Sequence, residues 1–225
     1  MIIAIDGPSG AGKSTIGKIL AKKLGLTYLD TGAMYRAVGL AVLRANIDPA
    51  DTKTIINLAK NLSIEFKDLG DELRIFLDGE DVSEQIRDES VSKMASIVST
   101  IPEVRRILVE LQRQIGMESR NGCVLDGRDI GTVVFPDADF KFFLTAKPEA
   151  RARRRYEENL KKGAQTSYEE TLAEIQDRDL RDTSRLDSPL QIPENAFVID
   201  TSEMDLEEVL SQLLDIISQR RKAAN

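Results

Sequence analysis

The segment Gly7-Pro8-Ser9-Gly10-Ala11-Gly12-Lys13-Ser14 stands directly behind the apolar run Ile2-Ile3-Ala4-Ile5. Ahead of it, Ile16, Ile19, Leu20 and Leu24 recur at the three- and four-residue spacings of a helix. A buried strand, a G-x-x-x-x-G-K-[ST] loop and a helix, in that order, make a phosphate-binding loop. Glycines let the backbone fold around an anion, and successive N–H groups with the helix N-terminus supply partial positive charge. Lys13 is placed to reach the β- and γ-phosphates of a nucleoside triphosphate, and the Ser14 hydroxyl to hold Mg²⁺. Gly7 through Ser14, with Thr15, are therefore the candidate ATP-binding residues. A ligand-free glycine-rich turn is the bland alternative, and the flanking strand and helix patterns weigh against it.

At 225 residues the chain has room for one α/β domain with insertions and a sizeable core. Its net charge of −7 argues against a general nucleic-acid binder, which needs a basic footprint, although 31 Lys and Arg residues leave room for local clusters. No stretch approaches the roughly 18 apolar residues of a membrane span, and residue 2 opens a core strand rather than a secretory leader. A single cysteine, Cys123, makes no internal disulfide and sits in an apolar strand pattern, as a small buried core residue. A cytoplasmic protein is expected. The absence of histidine excludes imidazole acid–base chemistry and histidine metal sites. It costs little to phosphoryl transfer, which relies on positioning and charge stabilisation.

Further along, Gly25 is a plausible helix stop and Leu26 to Asp30 reads as a short strand. Thr31-Gly32 turns the chain into a helix carrying Met34, Val38, Ala41, Val42 and Ala45 on one face. Asp51 can cap the next helix, with Ile55, Ile56, Ala59 and Leu62. Residues 63–82 change character: Ile64 and Phe66 alternate with polar residues, Leu69-Gly70-Asp71 turns, and Leu73, Ile75 and Leu77 alternate again. That pattern predicts a small antiparallel meander inserted in an α/β chain. Helices are expected over roughly 88–99 and 102–119, the second opened by Pro102. Strands follow at Cys123 to Leu125, ending at Asp126, and at Phe140 to Leu144. Pro148 opens a basic helix, Ser167 and Glu170 form a capping-box pattern for a helix over roughly 167–183, and Ala196 to Ile199 precedes a closing helix from about 203. Short apolar strands interleaved with helices predict a doubly wound parallel sheet with its ligands at the carboxyl ends of the strands.

A phosphate-binding loop alone specifies a donor and leaves the reaction open. No N-K-x-D guanine-reading segment is present, which weakens a GTPase reading, and the length and lack of repeats weaken a motor or transporter. Arginines around the strand ends point toward a kinase: Arg36, Arg105, Arg128, and Arg178, Arg181 and Arg185 near Asp182. Spacings of four and three put Arg178, Asp182 and Arg185 on adjoining parts of one helix face. Forks of this kind clamp an acceptor phosphate and neutralise a moving phosphoryl group, while the bland reading is solvated ion pairs or a helix-stabilising ladder. Asp126 and Asp129, at the end of a buried strand beside the loop, suit Mg²⁺ or its waters. The basic run Arg151, Arg153, Arg154 and Arg155 has three readings: a solvated face, a nucleic-acid patch, or a lid closing over the triphosphate. A groove for polymer is too short here, whereas a water-excluding lid is what a kinase needs.

These segments resemble the bacterial cytidylate kinases, members of the nucleoside monophosphate kinases. The resemblance rests on Ile5 to Ser14, on Asp30-Thr31-Gly32-Ala33-Met34-Tyr35-Arg36, on the long run from Asp126 to Ala138, and on Arg178-Asp179-Leu180-Arg181-Asp182. It covers nearly the whole chain, and the DGRDIGTVVFPDA segment is far more specific than the phosphate loop. It implies a P-loop fold that transfers the ATP γ-phosphoryl group to CMP or dCMP with Mg²⁺; a monomer is expected, and the charge and hydropathy above point to neither nucleic-acid polymer nor membrane as partner.

Lys13, Arg36, Arg128 and Asp129 are the candidate catalytic positions, and Arg155, from the basic run read as a lid, joins the ATP-binding set. By the resemblance, Thr31, Arg36 and Arg128 lie near the acceptor phosphate. Ser96, Arg105 and Asp129 read the cytosine, Asp182 contacts the ribose, and Arg178 and Arg185 flank it. Ser14 and Asp126 are the metal candidates, directly or through water. Thr31 stands where some members have serine, which keeps the hydroxyl. Cytosine offers a donor amine and two acceptors, which Asp129 can meet by accepting and Arg105 and Ser96 by donating. Uracil reverses two of those groups, so such a site rejects it. The implied organisation is a core of 1–32, 100–150 and 167–225, an acceptor-binding region over 33–99 with the antiparallel insert at about 63–82, and a lid over 151–166.

Overall fold

The computed structural model describes residues 1–68, 73–161, 163 and 165–223. The turn expected at Leu69-Gly70-Asp71, and positions 162 and 164 of the expected lid, lie outside the described residues. Packing of the backbone divides the chain into two units, one of residues 1–29 with 116–225 and one of residues 30–115.

The first unit is built on a five-stranded sheet in the order β2-β6-β1-β7-β8. Its strands are β1 (Ile2–Asp6), β2 (Thr27–Asp30, whose last residue belongs to the second unit), β6 (Cys123–Gly127), β7 (Phe140–Thr145) and β8 (Phe197–Asp200). The expected doubly wound parallel architecture is thus present. β1 runs parallel to β6, with Ile2 opposite Cys123 and Asp6 opposite Gly127, and parallel to β7, with Ile3 opposite Phe140. Strand order therefore switches direction at β1, where open α/β sheets bind ligands. Every residue of β6 is buried, Cys123 to Leu125 as their apolar run predicts for a central parallel strand and Asp126 and Gly127 beyond it. The helices α1 (Lys13–Leu24) and α8 (Leu206–Ala223) cover one face. Ile16 and Leu20 of α1 and Val209, Leu213 and Ile217 of α8 share a core with Ile3, Ile5, Val124, Phe142, Leu144 and Ile199.

The other helices of this unit are α6 (Pro148–Lys161) and α7 (Tyr168–Ser184). The capping box forms as expected: Ser167 Oγ accepts from Glu170 N–H at 3.1 Å, and Glu170 Oε2 accepts from Ser167 N–H at 2.9 Å. The closing helix starts later than its apolar pattern suggests, because Asp205 and Glu208 exchange the same reciprocal pair of bonds at 2.9 Å and hold residue 205 outside the helix. Between β6 and β7 lies a wide, π-type turn, Ile130–Val134, that no periodicity announces.

The second unit holds α2 (Thr31–Arg44), α3 (Thr52–Asn61), the antiparallel strands β3 (Ile64–Asp68), β4 (Leu73–Leu77) and β5 (Glu80–Asp81), then α4 (Glu89–Val98) and most of α5 (Pro102–Glu118). The meander is present, with Phe66 opposite Ile75 and Leu77 opposite Glu80. Helix α2 begins at Thr31 itself rather than after a turn, because Asp30 serves as its N-cap: Asp30 Oδ1 accepts from Ala33 N–H at 2.9 Å. Asp51 caps α3 by accepting from Thr54 N–H at 3.0 Å.

Candidate active site

The loop between β1 and α1 adopts the backbone its glycines permit. Gly7 lies so close to β7 that an added Cβ would sit 1.9 Å from the Leu144 carbonyl oxygen, and Gly12, at φ +87°, is the N-cap of α1. Lys13 is 5% exposed, and its ammonium donates to the Pro8 carbonyl at 2.7 Å, across the mouth of the loop. Ser14 and Thr15 face outward at the first turn of α1. Burial pulls the Lys13 pKa down to about 7, Arg128 and Arg178 adding to the effect while Asp126 and Asp182 oppose it. Those four charges, from strand and helix segments far apart in sequence, act on the lysine of the phosphate loop.

Asp126, in β6, is buried. Ser14 Oγ donates to Asp126 Oδ2 at 2.8 Å, and the Tyr28 hydroxyl donates to Oδ1 at 2.7 Å. A serine hydroxyl paired with a strand-end carboxylate beside phosphate-binding amides is a donor set of hard oxygens, which fits Mg²⁺. Among the described residues no cluster of three or more His, Cys, Asp or Glu side chains makes a metal site unaided. An ion here would draw the rest of its shell from phosphate and water. Tyr28 was not among the expected site residues; it lies 98 positions from Asp126, and only the adjacency of β2 and β6 joins them.

Arg128, just past β6, reaches α7. Its Nε donates to Asp182 Oδ2 at 2.7 Å, and its Nη1 donates to its neighbour's carbonyl at Gly127 at 3.2 Å. Burial alone would raise the Asp182 pKa, but Arg128, Arg178 and Arg185 outweigh it and hold the carboxyl below its usual range. Burial likewise opposes charge on Arg128, and Asp182 more than restores it. The expected helix face through Arg178, Asp182 and Arg185 needs one correction. Helix α7 stops at Ser184, and Arg185 has extended backbone at φ −62°, ψ 142°. Its guanidinium still comes within 4.0 Å of Asp182 Oδ1, and Nε donates to the Ser188 carbonyl at 2.6 Å. The cluster is therefore a helix end and its cap, not a surface ladder. Asp129 is buried at the capping position of the turn that follows.

In the second unit, Thr31 is buried at the first turn of α2, and Arg36 Nη2 pairs with Asp30 Oδ2 at 2.8 Å. Arg105 is among the largest fully buried side chains: Nη1 donates to the Ser99 carbonyl at 3.2 Å, and the guanidinium lies 5.5 Å from the Tyr35 ring centroid. Ser96 is also buried, and its hydroxyl has no hydrogen-bond partner among the described residues. A buried hydroxyl left so costs free energy unless a ligand meets it.

The basic helix divides its arginines. Arg151 is 2% exposed and tied inside: Nε donates to the Ala146 carbonyl, Nη1 to the Ser9 carbonyl at 3.0 Å, and Nη1 and Nη2 to the two oxygens of Asp179. Arg154 donates to Thr201, whose hydroxyl in turn donates to the Ala11 carbonyl at 3.3 Å. Both thus brace the phosphate loop, a role the run of basic residues did not reveal. Arg153 and Arg155 are exposed.

A family model described as Cytidylate kinase matches residues 3–219. A curated relative named cytidylate kinase, from Caldanaerobacter subterraneus subsp. tengcongensis, is 56% identical over 98% of this chain and 96% of its own. Another of that name, from Mycobacterium leprae, is 50% identical over 99% of this chain and 98% of its own. Among solved structures, a shikimate kinase from Bacteroides thetaiotaomicron aligns over 97% of this chain and 98% of its own with a TM-score of 0.51. At 12% identity that likeness is one of fold alone.

Proposed function

The chain belongs to the cytidylate kinase family, and we propose that it transfers the γ-phosphoryl group of ATP to CMP or dCMP through the residues described above. The observation that carries this reading is the set of charges around Lys13. A pure ATP sensor needs the loop and its lysine; it has no use for Arg128, Arg178 and Asp182 in the same field.

In this reading the loop amides from Gly7 to Thr15 and the Lys13 ammonium hold the donor phosphates. Arg128, held at one end by Asp182, and Arg36, held by Asp30, receive the acceptor phosphate. Thr31 donates its hydroxyl to that phosphate. Asp182, Arg178 and Arg185 frame the ribose, and Ser96, Arg105 and Asp129 read the base. No protein nucleophile is used; the residues align two phosphates and stabilise charge between them. Ser14 and Asp126 would hold Mg²⁺, which would supply charge neutralisation for the donor when bound. Residues 151–166 are assigned as a lid anchored to the phosphate loop by Arg151 and Arg154, with the exposed Arg155 proposed as its phosphate-reaching side chain. The core then comprises 1–32, 100–150 and 167–225, and the acceptor-binding region 33–99.

We further place the protein in the cytoplasm as a monomer, without a nucleic-acid polymer partner; the net charge of −7 supports the last of these. No helix among the described residues is long and apolar enough to cross a membrane. A panel of monophosphates in a coupled ADP assay tests the base assignment. CMP and dCMP are expected to exceed UMP, AMP and dTMP by about 10²-fold or more in kcat/KM, the discrimination available when buried polar groups are left unpaired. Equal rates on CMP and UMP would remove Ser96, Arg105 and Asp129 from the base site.

A further inference from the structure

Asp6, the last residue of β1, has no exposed surface. Its carboxylate accepts two backbone hydrogen bonds at 2.7 Å, from Ile130 N–H to Oδ1 and from Gly131 N–H to Oδ2. These amides open the wide turn Ile130–Val134 that follows Asp129. The turn closes on itself through Val133 and Val134 N–H, which donate to the Asp129 carbonyl, and through Phe135 N–H, which donates to the Ile130 carbonyl at 2.7 Å. Its leading amides face away from those bonds, as the first N–H groups of any helical turn do, and need an outside acceptor. Asp129 occupies the position from which a side chain would normally provide one, yet it makes no such bond. The cap comes instead from a different strand.

We propose that Asp6 is a positioning residue for the acceptor site: by capping the 130–134 turn in place of Asp129, it sets the backbone from which Arg128 and Asp129 project. The inference rests on the acceptor-site reading above. Three further features support it. The approach is tight, since a Cβ on Gly131 would lie 3.3 Å from Asp6 Oδ2 and 2.9 Å from Pro193 Cγ. Only a carboxylate fits, because two N–H donors require two acceptors, whereas an amide would turn a second donor against one of them. The placement is also costly. Burial, reinforced by the Asp129 charge, lifts the Asp6 carboxyl to about 7, against the two amides and Lys13. An apolar residue would fill the same strand position without that cost, so the carboxylate is there for the turn.

Asp6→Asn keeps the size and removes one acceptor. The KM for CMP should rise about tenfold, the scale of one lost charge-assisted hydrogen bond, and the CMP-over-UMP preference should fall by a similar factor. The KM for ATP should move less than the KM for CMP, since Asp6 acts on Lys13 only through its charge. Gly131→Ala, which keeps the carboxylate and displaces the second donor, should give the same pattern, and it decides the matter if Asp6→Asn does not fold. KM values for CMP and ATP that rise together, or an unchanged CMP-over-UMP preference, would overturn the inference. Asp129→Asn separates the two claims. If it leaves the preference intact, the acceptor-site reading fails. If it abolishes the preference while the Asp6 and Gly131 variants do not, only the positioning role of Asp6 fails.

Discussion

Lys13 shows how burial and neighbours set a binding residue before its ligand arrives. Its pKa near 7 follows first from burial and then from Arg128 and Arg178. A lysine lowered in this way is largely neutral above pH 7, while a bound triphosphate restores its charge. Binding ATP at about pH 8 should therefore take up close to one proton. At about pH 6, where Lys13 is already protonated, the uptake should shrink toward zero. Calorimetry in buffers of different ionisation enthalpy measures this directly, and Lys13→Ala should abolish it. A binding heat at about pH 8 that does not depend on the buffer would contradict the assignment. Ser96 tells a similar story from the neutral side, as a buried hydroxyl whose cost makes sense in the presence of a ligand.

At the scale of the element, what could be read from the chain was whatever depends on near neighbours. The phosphate loop lies within eight consecutive residues, Asp51 caps a helix three residues on, and Ser167 and Glu170 pair at the same spacing. Such caps carry measurable stability. Ser167→Ala should cost about 1 kcal/mol and lower the Tm by about 2–4 °C. The KM for CMP should stay put, since Asp182 lies at the opposite end of α7. Thermal unfolding beside steady-state kinetics checks both halves. Partners distant in sequence were not legible. Asp6 meets Ile130 across 124 positions, Tyr28 meets Asp126 across 98, and Arg151 meets Ser9 across 142. Periodicity reports which face of an element is buried, but it carries no record of which strands become neighbours. The placement of Arg185 is a local miss: α7 ends about where its pattern predicts, but the three-residue spacing from Asp182 suited a helical Arg185, and that residue is extended instead.

For the molecule as a whole, the order β2-β6-β1-β7-β8 accounts for the site in the first unit. Placing β1 between β6 and β7 brings the phosphate loop, Asp126 and Arg128 to one end of the sheet, and α7 delivers Asp182 to Arg128. The second unit carries its own buried polar set, Thr31, Ser96 and Arg105, on α2, α4 and α5. Residues arranged for a donor and an acceptor should pass phosphate between the two and spare water. The direct measurement follows ADP and CDP together in a ³¹P spectrum, with ATP and Mg²⁺, in the presence and absence of CMP. The account predicts ADP and CDP in equal amounts with CMP, and almost no ADP without it. ADP that accumulates at the same rate whether or not CMP is present, with no CDP beside it, would contradict it.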